Sequence, residues 1–213
     1  MISQSISLIG MSNVGKSHWR EKIAPLGFTP FCCDDLIEKK LEPYLRTNGF
    51  HGIEDIAKWM GQPYDQQYPA NSALYLKKEA AVMKEIIREL RKGRKRLIID
   101  TTGSVIYLEE KILDALRKLS IVVLLDTPEN FQQELYRKYL LNPKPVIWGD
   151  AYQPLPGENP KDALTRYYPL LLKSRNKMYR RHAQIILDYD KLRAREFNAQ
   201  KFLEEVELLL GQK

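Results

Sequence analysis

One stretch near the start of the chain carries the clearest chemistry: Gly10-Met11-Ser12-Asn13-Val14-Gly15-Lys16-Ser17. Its spacing, G-x-x-x-x-G-K-S, is that of a loop that cradles phosphate. Glycines at 10 and 15 let the chain bend sharply and bring backbone N–H groups, those of Ser12, Asn13 and Val14 among them, against phosphate oxygens. A helix starting near Gly15 adds its positive end, with His18 in its first turn. Lys16 is long enough to reach the β- and γ-phosphates of ATP, and the Ser17 hydroxyl is placed to bind Mg²⁺. The competing reading is a glycine turn that happens to precede Lys-Ser. The local order argues against it: an alternating β-like run at Ser5–Ile9, then the loop, then a helical stretch from His18 to Ala24 that Pro25 ends.

Acidic groups at two further places suit the same chemistry. Asp100 closes the apolar run Leu97-Ile98-Ile99, so its carboxylate can hold Mg²⁺ directly or through water, opposite Ser17. The alternative is an ordinary cap for the next turn. Asp34 and Asp35 follow Phe31-Cys32-Cys33. A carboxylate near the γ-phosphate can take the proton of an attacking hydroxyl, and the other acid of the pair then caps the helix behind it; spacing does not choose between them. The three histidines, His18, His51 and His182, have no partner at metal-ligand spacing. Cys32 and Cys33 are adjacent, which suits packing in a reducing compartment and not a disulfide framework.

The elements that must hold these groups alternate. Strands are expected at Gly27–Cys33, Arg96–Asp100, Ile121–Leu125 and Ile185–Leu187 in addition to the first. Helices are expected at Leu36–Leu41 (ended by Pro43), Ile53–Met60, about Ser72–Arg91, Val105–Leu119, Pro128–Leu141, Ala163–His182 with a start or kink at Pro169, and Ala199–Leu210. Asn48-Gly49, Gly61–Asn71 and Asn142–Pro160 read as breaks or loops. This is an α/β pattern: a three-layer fold, with about five parallel strands covered by helices on both faces. In such folds ligands sit at the carboxyl ends of strands, where the loop, Asp34-Asp35, Asp100-Thr101-Thr102-Gly103 and Asp126-Thr127 all fall.

The chain of 213 residues is expected to form one domain. Its 44% hydrophobic and 29% charged content excludes a disordered chain. No apolar run reaches membrane-span length and no signal peptide is visible, so a cytoplasmic protein without a membrane partner is expected. The net charge of +7 suits an anionic ligand; the basic residues are spread along the chain, so a nucleic-acid partner is not expected. Arg91-Lys92-Gly93-Arg94-Lys95-Arg96 reads as a basic helix end.

Phe31-Cys32-Cys33-Asp34-Asp35-Leu36-Ile37-Glu38, at this distance from the phosphate loop, resembles the corresponding segment of shikimate kinases, in the nucleoside-monophosphate-kinase-like group. The resemblance continues at Leu135-Tyr136-Arg137, at Lys144-Pro145 and at Ser174-Arg175-Asn176-Lys177-Met178-Tyr179. It implies that Asp34 binds and deprotonates the acceptor hydroxyl and that Arg137 packs on adenine. It further implies that Gly103 and Arg175 bind the acceptor, Arg175 through a carboxylate. The long loop at about 142–162 reads as a lid, against a static surface loop, and Lys144 or Arg137 would then supply charge to the transferring phosphoryl group. The acceptor-binding insertion would span about 40–78. The chain departs from the pattern at Cys32, where the family has an acid, at Thr101-Thr102, where it has glycines, and at Leu76, where it has a second carboxylate-binding arginine.

The resulting expectation is a monomeric Mg-ATP-dependent kinase of a small hydroxylated anionic metabolite, with shikimate as the specific guess. Two other classes compete: a nucleotide-binding regulatory module without efficient transfer, favoured by the lost glycines and acid, and a nucleotide or nucleic-acid-end kinase, favoured only by net charge.

Overall fold

The computed structural model describes residues 2–47, 49–141 and 144–212, excluding the side chains of residues 52–54, 132 and 133. Of the expected breaks, Asn48 lies outside the described residues, as do Asn142 and Pro143 at the start of the expected lid.

The strands β1 (Ser5–Ile9), β2 (Thr29–Cys32), β3 (Leu97–Asp100), β4 (Ser120–Leu125) and β5 (Ile185–Leu187) form one sheet in the order β2-β3-β1-β4-β5. Every pairing is parallel. The three central strands are buried along their whole length; β3 and β4 therefore read as apolar runs, whereas β1 alternates because it buries Ser5 and Ser7. The two serines in β1 avoid unpaired burial by bonding across strands: Ser7 Oγ meets Ser120 Oγ at 2.7 Å, and Ser5 Oγ accepts the Leu97 N–H at 3.0 Å.

Nine helices among the described residues surround the sheet: α1 (Lys16–Ile23), α2 (Cys33–Arg46), α3 (Gly52–Met60), α4 (Tyr68–Arg91), α5 (Glu110–Leu119), α6 (Gln132–Leu141), α7 (Pro160–His182), α8 (Tyr189–Arg193) and α9 (Ala199–Gly211). They complete the expected three-layer architecture. Helix α1 packs against β3 and α9, whereas α2 packs on α4 and α4 on α5.

Several boundaries differ from the expectation, mostly at prolines. Helix α2 does not stop at Pro43 but runs through it to Arg46, because Ile37, Leu41 and Leu45 form one buried stripe at four-residue spacing that outweighs the lost N–H. Helix α4 begins at Tyr68 and not near Ser72, since Pro69 occupies the first turn, where a missing N–H is harmless. Helix α7 starts at Pro160 and continues through Pro169. The expected helix Val105–Leu119 is split: a 3-10 turn at Val105–Tyr107 ends in the extended residues Leu108 and Glu109, which lets Val105, Ile106 and Leu108 all point into the core before α5 begins. Asp34 and Asp35 are not the cap of α2; both lie in its first turn, and Cys32 precedes it in extended conformation.

Residues 146–148 of the segment expected as a lid are fastened to the core. Val146, Ile147 and Trp148 are buried. The Tyr68 hydroxyl donates to the Val146 carbonyl at 3.1 Å and accepts the Trp148 N–H at 2.7 Å. Trp148 packs edge-on against Tyr152 and Tyr168. Residues 40–78 comprise the end of α2, α3, a short loop and the start of α4.

Candidate active site

Strand register assembles the site. Leu8 of β1 and Cys32 of β2 both pair with Asp100 of β3, so the three strands end in one row. The phosphate loop leaves β1 two residues beyond Leu8, Asp34 follows Cys32 by two, and Asp100 stands between them. The row is locked by Thr101, whose N–H and hydroxyl both donate to the Leu8 carbonyl, at 3.2 and 2.7 Å. Above it opens a cleft of ≈ 690 Å³.

The loop has the backbone its residue types require. Gly10 has φ 142°, and a Cβ there would lie 2.8 Å from the Leu125 carbonyl oxygen, so both conformation and space demand glycine. Gly15 (φ 111°) and Asn13 (φ 64°) are also left-handed, which curls the backbone around the start of α1. Ser12, Asn13, Gly15, Lys16, Ser17 and His18 line the cleft. Val14 contributes backbone only, since its side chain is buried. Lys16 Nζ donates to the carbonyls of Gly10 at 3.0 Å and Met11 at 2.9 Å. Burial lowers its pKa, and the negative charges of Asp100 and Asp34 partly restore it.

Asp34 lies half-buried on the cleft wall; Asp35, beside it, is exposed. Burial pushes the Asp34 carboxyl up to about 6, against the opposing charges of Lys16 and Lys144. That geometry favours Asp34 as the group that receives a proton. Asp100 is almost fully buried, its Oδ2 has no hydrogen-bond partner, and Arg20 Nη1 approaches that oxygen at 3.9 Å. A buried carboxylate oxygen left without a hydrogen bond, in the same phosphate-loop cleft as the exposed Ser17, fits the place of a magnesium ion. Among the described residues no group of three or more His, Cys, Asp or Glu is arranged to hold a metal. Mg²⁺ here would therefore share its coordination with nucleotide phosphates, as it does in kinase sites generally.

The other expected residues are placed as follows. Lys144 and Pro145 line the cleft, held there by the anchored residues that follow them. Arg137 is exposed on α6 and does not line the cleft; the next residue, Lys138, does. Gly103 lines it, and a Cβ there would come within 2.9 Å of Ser12 Oγ, so the turn after β3 touches the phosphate loop. Arg175 is buried behind that turn and outside the cleft wall: its Nη2 donates to the Ile147 carbonyl at 2.7 Å and its Nε to the Tyr107 hydroxyl at 3.3 Å. Leu76 is half-buried against the core. Asp126, which the strand-end pattern also singled out, pairs with Arg180 away from the cleft. Cys32 lines the cleft, but burial raises its thiol to about 11, and Cys33 is fully buried and shifted the same way, so both stay protonated packing groups.

Sequence reasoning missed five groups. Arg20, one helical turn after Lys16, and Tyr75, Ser104 and Lys138 all line the cleft. Behind them Glu79 of α4 is fully buried; it accepts hydrogen bonds from the Thr102 hydroxyl and, at 2.6 Å, from the Ser104 hydroxyl. Burial pushes Glu79 up to about 7, the two hydroxyls counteract this, and the charge of Asp34 adds to it. The signal was present in the spacing Tyr75-Glu79-Met83, which puts the glutamate on the buried stripe of the helix.

No protein-family model and no curated protein matches the chain. Solved structures do. The shikimate kinase from Acinetobacter baumannii in complex with shikimate is 25% identical, with a TM-score of 0.59 over 99% of this chain and 95% of that one. The shikimate kinase from Bacteroides thetaiotaomicron is 17% identical, with a TM-score of 0.56 over 99% and 96%. That from Aquifex aeolicus is 18% identical, with a TM-score of 0.56 over 98% and 96%. Fold and phosphate-loop cleft together make this chain an ATP-dependent P-loop kinase. Within that class it is shikimate-kinase-like.

Proposed function

We propose that the protein transfers the γ-phosphoryl group of Mg-ATP to a hydroxyl of a small metabolite. The observation that carries this reading is Asp34: a shielded carboxylate, facing Lys16 across a cleft whose floor is the phosphate loop. The loop's N–H groups and Lys16 hold the β- and γ-phosphates. Magnesium, when bound between Ser17, Asp100 and the phosphates, would offset the charge that gathers on the leaving oxygen. Lys144, Lys138 and Arg20 stand around the cleft to balance the charge of the transferring group. The acceptor oxygen forms the new P–O bond, the bond between the γ-phosphorus and the β,γ-bridging oxygen breaks, ADP leaves, and the hydroxyl proton goes to Asp34. Arg137 remains the proposed neighbour of adenine by resemblance alone; the same resemblance gives Arg175 to the acceptor, although its Nε and Nη2 bond to Tyr107 and Ile147 outside the cleft lining. Residues 40–78 and 144–162 are the segments proposed to enclose the acceptor and the phosphates in one domain, acting in the cytoplasm as a monomer.

Shikimate is the acceptor the resemblance nominates, and it is the first compound to try. ADP release is measured with ATP, Mg²⁺ and a panel of hydroxylated metabolites that includes it. Asp34→Asn should lower kcat by about 10²–10⁴-fold while ATP binding persists. Lys16→Ala should abolish ATP binding. Full turnover by Asp34→Asn would show that the base lies elsewhere, and undiminished ATP binding by Lys16→Ala would remove the basis for a kinase.

A further inference from the structure

The wall of the cleft beyond Asp34 is made by Thr102, Ser104 and Tyr75, and Glu79 stands directly behind it. A hydroxyl has one proton to give and two lone pairs. Both the Thr102 and the Ser104 protons are directed at Glu79, one to each carboxylate oxygen. The Ser104 N–H then occupies one lone pair of Thr102 Oγ1, at 3.1 Å. What the two side chains have left for the cleft is lone pairs. Asp34 on the same wall is a carboxylate and likewise only accepts above its pKa of about 6. The Tyr75 hydroxyl on this wall, which burial keeps protonated, is hydrogen-bonded to Ser104. The guanidinium that could pair with a substrate carboxylate, Arg175, bonds through Nε and Nη2 to Tyr107 and Ile147 behind Gly103 and does not line the cleft, and Leu76 stands where a second is expected.

We infer that Glu79, by holding the Thr102 and Ser104 protons away from the cleft, makes the acceptor subsite a hydrogen-bond-accepting surface that selects a small uncharged polyol over a hydroxy acid. The inference rests on the kinase reading above and narrows its acceptor. A polyol supplies the O–H donors that such a wall needs. A carboxylate brings only acceptors, so it leaves those lone pairs and its own unpaired and adds a negative charge beside Asp34 and Glu79. Selection of this kind is strong because the wrong ligand buries unpaired polar groups. In the proposed ATP complex Lys16, Arg20, Lys138 and Lys144 are engaged by the phosphates, which limits the relief they can give an acceptor carboxylate. Glu79 is a positioning residue here, acting through Thr102 and Ser104.

The test is a steady-state comparison at pH 8, where Glu79 is ionised. ADP release is followed with myo-inositol, D-glucose and glycerol against shikimate, quinate and D-gluconate. The expected result is a kcat/KM for the best polyol at least about tenfold above that for every acid. In Glu79→Gln the amide must donate to one of the two hydroxyls, whose own proton then turns to the cleft. That should narrow the polyol-to-acid ratio by roughly tenfold, through KM and not kcat. Thr102→Val, which keeps the shape and removes the hydroxyl, should raise the polyol KM in the same way and serves if Glu79→Gln does not fold. A preference for an acid, or a ratio that neither variant changes, overturns the inference and leaves the kinase reading intact. Turnover of none of the six, with ATP binding retained, overturns both.

Discussion

Glu79 makes a prediction about stability that is independent of any substrate. Its carboxyl titrates near 4.5 in an unfolded chain and at about 7 in the folded one. Between those values the folded state holds a proton that the unfolded state releases, so this group stabilises the fold below pH 4.5 and the benefit disappears as pH rises through 7. At roughly 1.4 kcal/mol per pH unit, the change between pH 5 and pH 8 is about 2–3 kcal/mol. Asp34 shifts in the same direction, so the wild-type curve alone does not isolate Glu79. Glu79→Gln does, because glutamine keeps the shape and does not titrate. Urea unfolding of both proteins at the two pH values gives the result as a double difference, free of groups common to both. Wild type should lose about 2–3 kcal/mol more than the variant on going from pH 5 to pH 8. If the two proteins lose the same amount to within about 0.5 kcal/mol, the buried carboxyl is not titrating as its surroundings require and the reasoning fails.

Three further outcomes follow from the site. With Asp34 as the proton acceptor at a pKa of about 6, kcat/KM should be flat above that pH and fall about tenfold per unit below it, and a profile unchanged by Asp34→Asn would contradict the assignment. Asp100→Asn keeps the shape of the buried side chain and removes its charge; the Mg²⁺ concentration giving half-maximal rate should rise by roughly 10–100-fold, read from a magnesium titration at saturating ATP. Gly10→Ala forces a methyl against the Leu125 carbonyl in a left-handed backbone, so it should cost about 1–3 kcal/mol and several degrees of melting temperature, measured by calorimetry, together with nucleotide binding.

What could be read from the sequence was whatever is local in the chain. Strands β3 and β4 announce themselves as short apolar runs because both faces are covered, β1 as an alternating run, and the phosphate loop by the glycines that its conformations at 10 and 15 require. Asp34 and Asp100 were legible as strand-end acids. Prolines misled, because their effect depends on what the rest of the helix buries: Pro43 is carried by Ile37, Leu41 and Leu45, whose spacing is visible, although the strength of their burial is not. Arg137 and Lys138 show a related limit, since neighbours on a helix point about a quarter turn apart and only the docked helix shows which one reaches the cleft. Glu79 follows Lys77-Lys78 and so resembles an ordinary solvated charge. Its burial comes from the packing of α4 beside the turn after β3, which brings Thr102 and Ser104 to it from more than twenty residues away.

The same carboxylates connect the two halves of the cleft. Asp34 and Asp100 both act on Lys16, and Asp34 acts in turn on Glu79. Triphosphate entering the loop adds negative charge next to Asp34, which by itself would raise that carboxyl further and leave it protonated at neutral pH. Positive charge must offset this for Asp34 to accept a proton. Lys16 and Lys144 already do so in part, since both lower the Asp34 pKa. Lys144 is two residues before Val146, which with Trp148 is anchored on Tyr68, so that anchoring has an electrostatic consequence at Asp34. In the proposed reaction, donor charge, magnesium and the protonation of Asp34 would thus be parts of one balance: phosphates without the metal would disarm the group proposed to activate the acceptor, and the metal's positive charge would restore it.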